Sequence, residues 1–331
     1  MPHKVRIRQL DHTIEVRDGQ SIIDAALKAG LDYPYACRSG TCSVCKTELI
    51  SGEVRLRSCD ASALSESERA AGLILACRAH PMSDCEVALL EDSDAGPEPQ
   101  QVECTITRVE RVTHDIAIIG AVARDGRALQ FAAGQFAMLM LPGLPAREYS
   151  FANRPGSSQL EFHVRAYPGG LVSAQLFERS RPGDPFLLHG PFGCAHLRKE
   201  HPGPIILVAG GTGLAPAKSI LLECLASLPD RPVSLFFSVR GERDLYSIGE
   251  LEQLARTHEN FSFYPVVHEP TGEVRYGGNL IAFMAGIGLD YRAAKVYVCG
   301  PPGLVDACRD FVERMGTLRE NCHADAFVTR Q

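Results

Sequence analysis

The chain has no long hydrophobic run and no excess of basic residues. No stretch reaches the roughly 18 consecutive apolar residues of a membrane span, and residues 1–10 alternate charged and apolar side chains where a signal peptide would have an apolar core. A net charge of -6 at pH 7 and a pI near 6.0 leave no basic footprint for nucleic acid. These absences predict a cytoplasmic protein with no membrane and no nucleic-acid partner.

A disulfide framework is not expected either, although the chain contains 12 cysteines. With 331 residues, 45% of them hydrophobic, the chain can bury its own core and is long enough for two or three domains. Four of the cysteines have the spacing of cluster ligands, and no secretion signal precedes them. The remaining cysteines are therefore expected to be reduced thiols.

Three cysteines lie close together in the segment CRSGTCSVC, and a fourth follows much later. Cys37 and Cys42 enclose four residues, Cys42 and Cys45 enclose two, and Cys77 has no near partner. This is the ligand spacing of a plant-type 2Fe-2S cluster. A structural zinc site is the alternative, but it would normally show two short-spaced pairs. Since the small residues between the cysteines also let backbone N–H groups approach the sulfurs, the motif predicts electron transfer.

Residues 1–90 have the pattern of a small α+β domain of the β-grasp type. Apolar and polar residues alternate over 4–16, which predicts two strands, and Ser21 has the position of a helix cap for the apolar stretch that follows. A strand over 47–50 and a short helix capped by Ser65 lead towards the fourth cysteine. The iron-sulfur motif is therefore expected in a ferredoxin domain.

The rest of the chain divides at an acidic stretch. Residues 91–101, EDSDAGPEPQQ, have no apolar periodicity and are predicted as a linker. Strand-like runs separated by turn signals over 102–202 favour an antiparallel β-barrel. Over 203–331 the pattern changes to a strand at 205–209, a helix at 215–228 and further alternation, which indicates an α/β domain with a doubly wound parallel sheet.

The barrel segment contains Arg147-Glu148-Tyr149-Ser150, and Gly170 and Ser173 follow it. An arginine fork can hold a phosphate while a neighbouring ring stacks on a flavin and a serine hydrogen-bonds the flavin edge. Taken alone, the tetrapeptide is equally well explained as a barrel strand whose arginine points outward. Whether it indicates flavin binding therefore depends on the other motifs of the chain.

A glycine-rich turn, Gly210 to Pro216, lies between an apolar strand and a helix. Glycines let a pyrophosphate approach the backbone, and the helix N-terminus favours its charge. The spacing is not the G-x-G-x-x-G fingerprint, so an ordinary dehydrogenase does not follow. A buried strand at 296–298 is predicted to run into a turn that begins at Cys299. That cysteine is either a core thiol or a neighbour of a nicotinamide.

In this order the motifs resemble the flavin- and iron-sulfur-containing reductase components of bacterial ring-hydroxylating (Rieske-type) and other multicomponent oxygenases, in the ferredoxin-NADP reductase superfamily. The resemblance covers nearly the whole chain and implies a ferredoxin domain, an FAD barrel and a nicotinamide-nucleotide domain. Placing the cluster domain first implies FAD and not FMN. The resemblance assigns the cluster to Cys37, Cys42, Cys45 and Cys77, the flavin to Arg147, Tyr149, Ser150, Gly170 and Ser173, and the nucleotide to Gly211, Thr212, Gly213, Pro216, Cys299, Gly300, Pro301 and Phe327.

The resemblance implies an NADH-dependent reductase. A nicotinamide gives two electrons as a hydride and a 2Fe-2S cluster accepts one, so FAD stands between them. Ser150 and Cys299 are the residues expected beside the reacting atoms, and no acid–base dyad is needed. The acceptor is expected to be a terminal oxygenase, reached directly or through a separate ferredoxin. Lone residues such as His163, Cys104, Cys194 and Cys224 are expected to be core or surface residues.

Three alternatives remain at the level of the sequence. A reductase of the same architecture could serve a deoxysugar dehydrase or a cytochrome P450, and a non-catalytic electron-carrier module is the third reading. The choice of NADH over NADPH also stays open locally, because residues 238–244 carry both Arg240 and Glu242. Asp325, near the C-terminus, stands where glutamate is frequent in the family.

Overall fold

The structure is a computed structural model, and it describes residues 2–31, 33–35, 38, 40, 45–59, 63–64, 66–90, 97–193, 195–272 and 276–327. It divides into two compact units, one of Met1–Glu98 with Phe192–Cys194 and one of Pro99–Pro191 with Ala195–Gln331. Four positions singled out from the sequence lie outside the described residues: Cys37, Cys42, Ser65 and Cys194. Each unit is considered separately below.

The first unit contains a mixed sheet with one helix packed against it. Its elements are β1 (His3–Ile7), β2 (His12–Val16), α1 (Ile22–Lys28), β3 (Lys46–Ser51), β4 (Val54–Leu56), α2 (Glu66–Ala70), β5 (Leu73–Leu75), β6 (Ala79–Pro81) and β7 (Cys85–Leu89). The sheet order is β2-β1-β7-β3-β5, and β1 pairs with β7 in parallel. This is the β-grasp arrangement that the sequence predicted.

Helix α1 begins where its sequence predicts. The Ser21 side chain accepts a hydrogen bond from the Asp24 backbone N–H at 3.2 Å, which satisfies one of the free amides of the first turn. Ile22 and Ile23 lie on the apolar face and are buried. Gly30 follows the helix with a φ of 75°, a left-handed conformation that favours glycine.

The second unit begins with an antiparallel, nearly closed sheet. Its elements are β8 (Gln100–Arg111), β9 (Ile116–Ala123), β10 (Phe136–Met140), β11 (Arg147–Ser150), β12 (Gln159–Arg165), α3 (Leu171–Ala174), a π-helical turn (Gln175–Arg179) and β13 (Pro185–Phe192). The order is β11-β10-β13-β8-β9-β12. A bridge between Phe151 and Phe162 joins the two edges. Strand β8 begins at Gln100, inside the stretch predicted as a linker, because its first residues pair with β13.

A parallel sheet with helices completes the second unit. Its elements are β14 (Ile205–Gly210), α4 (Leu214–Ser227), β15 (Val233–Val239), α5 (Ile248–Thr257), β16 (Phe261–Val267), α6 (Leu280–Gly286), β17 (Lys295–Gly300), α7 (Pro302–Arg314) and β18 (Cys322–Ala326). The order is β16-β15-β14-β17-β18. The chain leaves β14 towards one side and later returns on the other, so the carboxyl ends of β14 and β17 border the crevice where doubly wound sheets bind ligands.

No helix among the described residues combines the length and the apolar character that crossing a bilayer requires.

Three phenylalanines form the centre of the barrel core. Phe131 stacks on Phe151 with ring centroids 4.1 Å apart, and Phe151 meets Phe162 at 5.4 Å. Phe162 is completely buried. We expect Phe162→Ala to lower the free energy of unfolding by about 3–5 kcal/mol, since it leaves a cavity where the two edges of the sheet meet. Chemical denaturation followed by circular dichroism measures this. Leu318→Ala, at an exposed leucine, is the control, and an equal effect of both changes would contradict the prediction.

Candidate functional site

Cys45 and Cys77 lie side by side in the first unit. Cys45 directly precedes β3, Cys77 follows β5, and these two strands pair. The backbone N–H of Ala76 donates to the carbonyl of Cys45 at 2.9 Å, so the two chain segments remain in contact beyond the strands. Both cysteines are buried, at 3% and 6% exposure. The chain therefore brings together two thiols that are 32 positions apart in the sequence.

The surroundings of this cysteine pair suit a sulfur-ligated cluster. Burial raises the pKa of Tyr33 far above its usual value, and the charges of Cys45 and Cys77 add to the increase, so both sulfurs lie near the same phenol. Gly40, in the cysteine-rich loop, has a φ of 86°, and a Cβ there would lie 2.9 Å from side-chain carbons of Arg78 and Cys59. The left-handed backbone and the lack of space for a Cβ therefore favour glycine at that position.

Strand β11 carries the predicted flavin tetrapeptide. It pairs with β10, with Arg147 opposite Leu139 and Ser150 opposite Phe136. Burial raises the pKa of Tyr149 well above its usual value, which the neighbouring Arg147 counteracts only in part. The phenol is therefore neutral and next to a guanidinium. Ser150 is 8% exposed at the end of the strand.

Gly170 and Ser173 form one tight turn at the start of α3. The Ser173 hydroxyl donates to the Gly170 carbonyl and accepts from the Tyr167 backbone N–H, both at 3.3 Å. A Cβ on Gly170 would lie 2.4 Å from the Ser173 oxygen. The charge of Tyr167 also acts on Tyr149, so the turn lies near the β11 tetrapeptide. The structure thus brings together the two segments that the resemblance assigns to the flavin.

The glycine-rich turn packs directly on the end of β17. Gly211, Thr212 and Gly213 form a 3-10 turn between β14 and α4, and Pro216 lies in the first turn of that helix. A Cβ on Gly213 would lie 2.0 Å from the carbonyl oxygen of Cys299, which no side chain can tolerate. We call residues 210–213 the dinucleotide loop. It is held at the topological switch point, where the backbone amides at the start of α4 would meet a pyrophosphate.

Cys299 lies in a strand and not in the predicted turn. Strand β17 continues through Gly300, because Cys299 pairs with Ala209 on one side and Asp325 on the other. The cysteine is 1% exposed, and burial, reinforced by the charge of Asp325, raises the pKa of its thiol well above the usual value. It is therefore a neutral, buried thiol in this structure. The short apolar segment at 296–298 did not indicate that the buried parallel strand continues to Gly300.

The end of the chain closes over β17. The Phe327 backbone N–H donates to the carbonyl of Gly300 at 2.8 Å, and Pro301 directly precedes α7 as its N-cap residue. The ring of His323 stacks on Tyr297 with centroids 5.3 Å apart, so this histidine has a packing role. The terminal segment and the β17 end, remote in the sequence, therefore occupy one place in the sheet.

Strand β12 supplies charged residues that the sequence analysis did not select. Glu161 accepts hydrogen bonds from Lys218 and Arg108, both at 3.0 Å, and Lys218 also donates to Glu250 at 2.8 Å. These contacts join the barrel to α4 and α5. The alternation of Leu160, Phe162 and Val164 indicates the core face of this strand. The charged and polar residues Glu161, His163 and Arg165 alternate with them on the opposite face, and this pattern could have identified them from the sequence.

Arg165 lies against the dinucleotide loop. A Cβ on Gly211, whose φ is 56°, would approach the Arg165 guanidinium to 3.1 Å. Arg165 also pairs with Asp115 at 3.0 Å. A guanidinium beside a glycine-rich loop at a helix N-terminus suits an anionic ligand such as a pyrophosphate.

The segment that follows β15 has its carboxylates already engaged. Glu242 accepts from the backbone N–H groups of Thr271 and Gly272 at 2.7 and 3.0 Å, and Asp244 accepts from that of Gly241 at 3.1 Å. Arg240 is exposed, and the Arg243 side chain is 76% exposed. The acidic and basic residues of this segment therefore have different roles. The carboxylates bind backbone amides of the loops, whereas the arginines are exposed to solvent.

Three domain families match the chain in sequence. Residues 5–82 match a 2Fe-2S iron-sulfur cluster binding domain, residues 103–197 an oxidoreductase FAD-binding domain and residues 207–310 an oxidoreductase NAD-binding domain. Together with the folds described above, these matches define the class: an oxidoreductase that combines a 2Fe-2S cluster, FAD and a nicotinamide nucleotide.

Relatives along the full length define the family. The chain is 32% identical to a propane 2-monooxygenase reductase component of Gordonia sp. (strain TY-5), over 99% of this chain and 97% of the relative. It is 35% identical to an aromatic O-demethylase reductase subunit of Amycolatopsis sp., over 95% and 96%. A crystal structure of an Amycolatopsis cytochrome P450 reductase superposes with a TM-score of 0.78 at 33% identity, covering 99% of both chains. The chain belongs to the family of oxygenase reductase components.

Glu161 makes a pH-dependent contribution to stability. Burial alone would raise its pKa, but the hydrogen bond from His163 and the charge of Lys218 outweigh burial and lower the pKa from 4.5 to about 2. A lowered pKa stabilises the fold fully above the unfolded value and loses that contribution as the pH falls towards the folded value. We expect the Tm difference between wild type and Glu161→Gln to be largest near pH 7 and to shrink below about pH 4.5.

Glu110→Gln is the matched control for this experiment. Glu110 is an exposed carboxylate that pairs with the same Arg108, at 3.2 Å, and exposed pairs contribute little to stability. Thermal melts of the three proteins between pH 7 and pH 3.5 provide the measurement. A pH-independent difference for Glu161→Gln, or the same profile for Glu110→Gln, would contradict the assignment.

Proposed function

We propose that this protein is an NADH-dependent reductase that passes electrons through FAD and a 2Fe-2S cluster to a separate terminal oxygenase. When bound, the nicotinamide supplies a hydride, FAD accepts it, and the cluster carries single electrons onward. The observation that carries the proposal is the close approach of Gly213 to the Cys299 carbonyl, which places the glycine-rich loop beside the end of β17 in a chain that also holds paired, buried cysteines. A cytoplasmic location is part of the proposal, since NADH is available there.

In this proposal the residues of the second unit hold and orient the flavin and the nucleotide. Arg147 binds a flavin phosphate, Tyr149 stacks on the ring, and Ser150 hydrogen-bonds the flavin edge, as their proximity on β11 supports. Gly170 and Ser173 provide the second flavin contact. The nucleotide lies on Gly211, Thr212, Gly213 and Pro216, with Cys299, Gly300, Pro301 and Phe327 on the nicotinamide side.

The cluster ligands in this proposal are four cysteines of the first unit. Cys45 and Cys77 lie together and are buried, which supports their part of the set. The other two, Cys37 and Cys42, are proposed from the ligand spacing and lie outside the described residues. FAD is proposed over FMN on the order of the domains, with the cluster domain first.

The relatives belong to different oxygenase systems, so they do not identify the oxygenase that this reductase serves. One relative belongs to a propane 2-monooxygenase and another to an aromatic O-demethylase, and one solved structure is a cytochrome P450 reductase. A cytochrome P450 is therefore the second candidate acceptor. Either acceptor takes single electrons, so the proposal for this chain is the same up to the cluster, with or without an intermediate ferredoxin.

The cluster assignment is tested by Cys77→Ala. We expect loss of the visible absorption of the cluster and of cytochrome c reduction, while NADH still reduces the flavin and ferricyanide, because the second unit is untouched. Absorption spectra and the two steady-state assays measure this. Cys85→Ala is the matched control, since Cys85 is equally buried in the same unit, at 6%, and its thiol donates to the Ser83 carbonyl at 3.2 Å. Loss of the cluster in the Cys85 variant, and not in the Cys77 variant, would overturn the assignment.

The hydride donor is tested by comparing NADH with NADPH. We expect a larger kcat/KM with NADH in cytochrome c reduction. We also expect measurable use of NADPH, because Glu242 and Asp244 are engaged with backbone amides and the exposed Arg240 and Arg243 attract a 2'-phosphate. Arg240→Ala and Arg243→Ala should lower the efficiency with NADPH and leave that with NADH nearly unchanged. Equal efficiencies, or a preference for NADPH, would show that these arginines dominate the site.

A further inference from the structure

A row of polar contacts runs from Glu161 to the dinucleotide loop. The Glu161 carboxylate lies 3.2 Å from His163 Nε2, His163 Nδ1 lies 2.8 Å from the Tyr246 hydroxyl, and that hydroxyl lies 3.2 Å from the carbonyl oxygen of Gly211. The His163 side chain is completely buried, and Tyr246 is 4% exposed. Water therefore has little access to this row, and its members must satisfy one another.

Counting protons shows that this row has two arrangements. Both ends, a carboxylate and a carbonyl, only accept hydrogen bonds. Three contacts need three protons, while a neutral imidazole and a phenol supply two. Protonated His163 completes the row, since both ring nitrogens then donate and Tyr246 gives its proton to Gly211. Neutral His163 keeps its proton on the side of Glu161 and accepts a hydrogen bond from the Tyr246 hydroxyl, so the Gly211 carbonyl loses the hydroxyl as a donor and keeps the backbone N–H of Leu214.

The charges that face His163 come from three elements. On its own strand Glu161 favours the imidazolium, from α5 Glu250 does the same, and from α4 Lys218 opposes it. Arg108 contacts Glu161 and Glu110, and Arg165 acts on Tyr246. Burial is the largest influence and lowers the pKa of His163 below its usual value. The ring is therefore neutral near pH 7 and becomes charged on the acid side.

We propose that His163 and Tyr246 form a proton-linked latch on the dinucleotide loop, which rests on the proposed role of that loop in binding a nicotinamide dinucleotide. With His163 protonated, Tyr246 donates to the Gly211 carbonyl and fixes the loop. With His163 neutral, the hydroxyl turns to the ring, and the loop is held less firmly because the Gly211 carbonyl keeps the Leu214 backbone N–H but loses the side-chain donor. Both are positioning residues. Since a fixed loop and an added positive charge both favour a pyrophosphate, the dinucleotide binds more tightly to the protonated form, and binding takes up a proton.

The test measures NAD+ binding to the holoprotein between pH 4.5 and 7.5 by isothermal titration calorimetry, a range that extends well to the acid side of the usual histidine pKa. The charge of the NAD+ pyrophosphate does not change in this range, so a pH dependence reports on the protein. We expect the Kd of the wild type to fall by about fivefold as the pH is lowered. In Tyr246→Phe the ring still packs on His163 and Phe237, but the hydroxyl is absent. We expect its Kd to be nearly independent of pH.

Tyr291→Phe is the matched control for the loss of a buried hydroxyl. Tyr291 is 2% exposed and donates to the backbone carbonyl of Met284 at 2.8 Å, apart from the dinucleotide loop. This variant should keep the pH dependence of the wild type. Should Tyr246→Phe not fold, His163→Gln provides the same test, because glutamine can donate towards Glu161 but does not take up a proton.

The outcomes separate the latch from the proposed function. A pH-dependent Kd in the wild type and in Tyr291→Phe, lost in Tyr246→Phe, supports the latch. A wild-type Kd that does not change with pH, or an equal pH dependence in Tyr246→Phe, overturns the latch and leaves the proposed function intact. A wild type that binds no NAD+ at any pH overturns the proposed function and the latch with it.

Discussion

The second unit depends on the largely buried carboxylate of Glu161, whose side chain is 18% exposed. It receives hydrogen bonds from Lys218 and Arg108, and through Lys218 it reaches Glu250. These four residues lie on β8, β12, α4 and α5, so a single charge connects the barrel with two helices of the nucleotide domain. A carboxylate in that position is stable only while its cations remain in place, because an unpaired buried charge costs several kcal/mol. These contacts thereby link the barrel to the parallel-sheet domain within this unit.

Glycines shape the proposed nucleotide crevice because they have no Cβ atom. Gly213 and Gly300 allow backbones to touch where any side chain would collide, and Gly211 leaves room for the Arg165 guanidinium. In the proposed site, backbone amides at the carboxyl ends of β14 and β17 border the crevice. A ligand there meets fixed dipoles instead of flexible side chains, so little conformational entropy is lost when it binds.

Local sequence patterns predicted the helices and strands well, but they could not predict contacts between residues that are distant in the sequence. Strand Val233–Val239 and the cap at Ser21 follow from neighbouring residues, and the structure confirms both. The pairing of Glu161 with Lys218 joins positions 57 residues apart, and neither residue type is distinctive alone. The strand position of Cys299 was missed because a strand buried on both faces shows no alternation that marks its end. Site geometry was thus least predictable where it is built from several elements.

The order of strands also determines when the crevice can exist. Strand β14 pairs with β15 through Ile205 and Val233, which are close in the chain, but with β17 only through residues such as Lys295. Contacts between distant residues form slowly, because loop closure must precede them. During synthesis the dinucleotide loop therefore emerges long before the strand end that completes it. A nascent chain that already contains the whole barrel still lacks a finished nucleotide crevice, and electron transfer from a nicotinamide can begin only after β17 has joined the sheet.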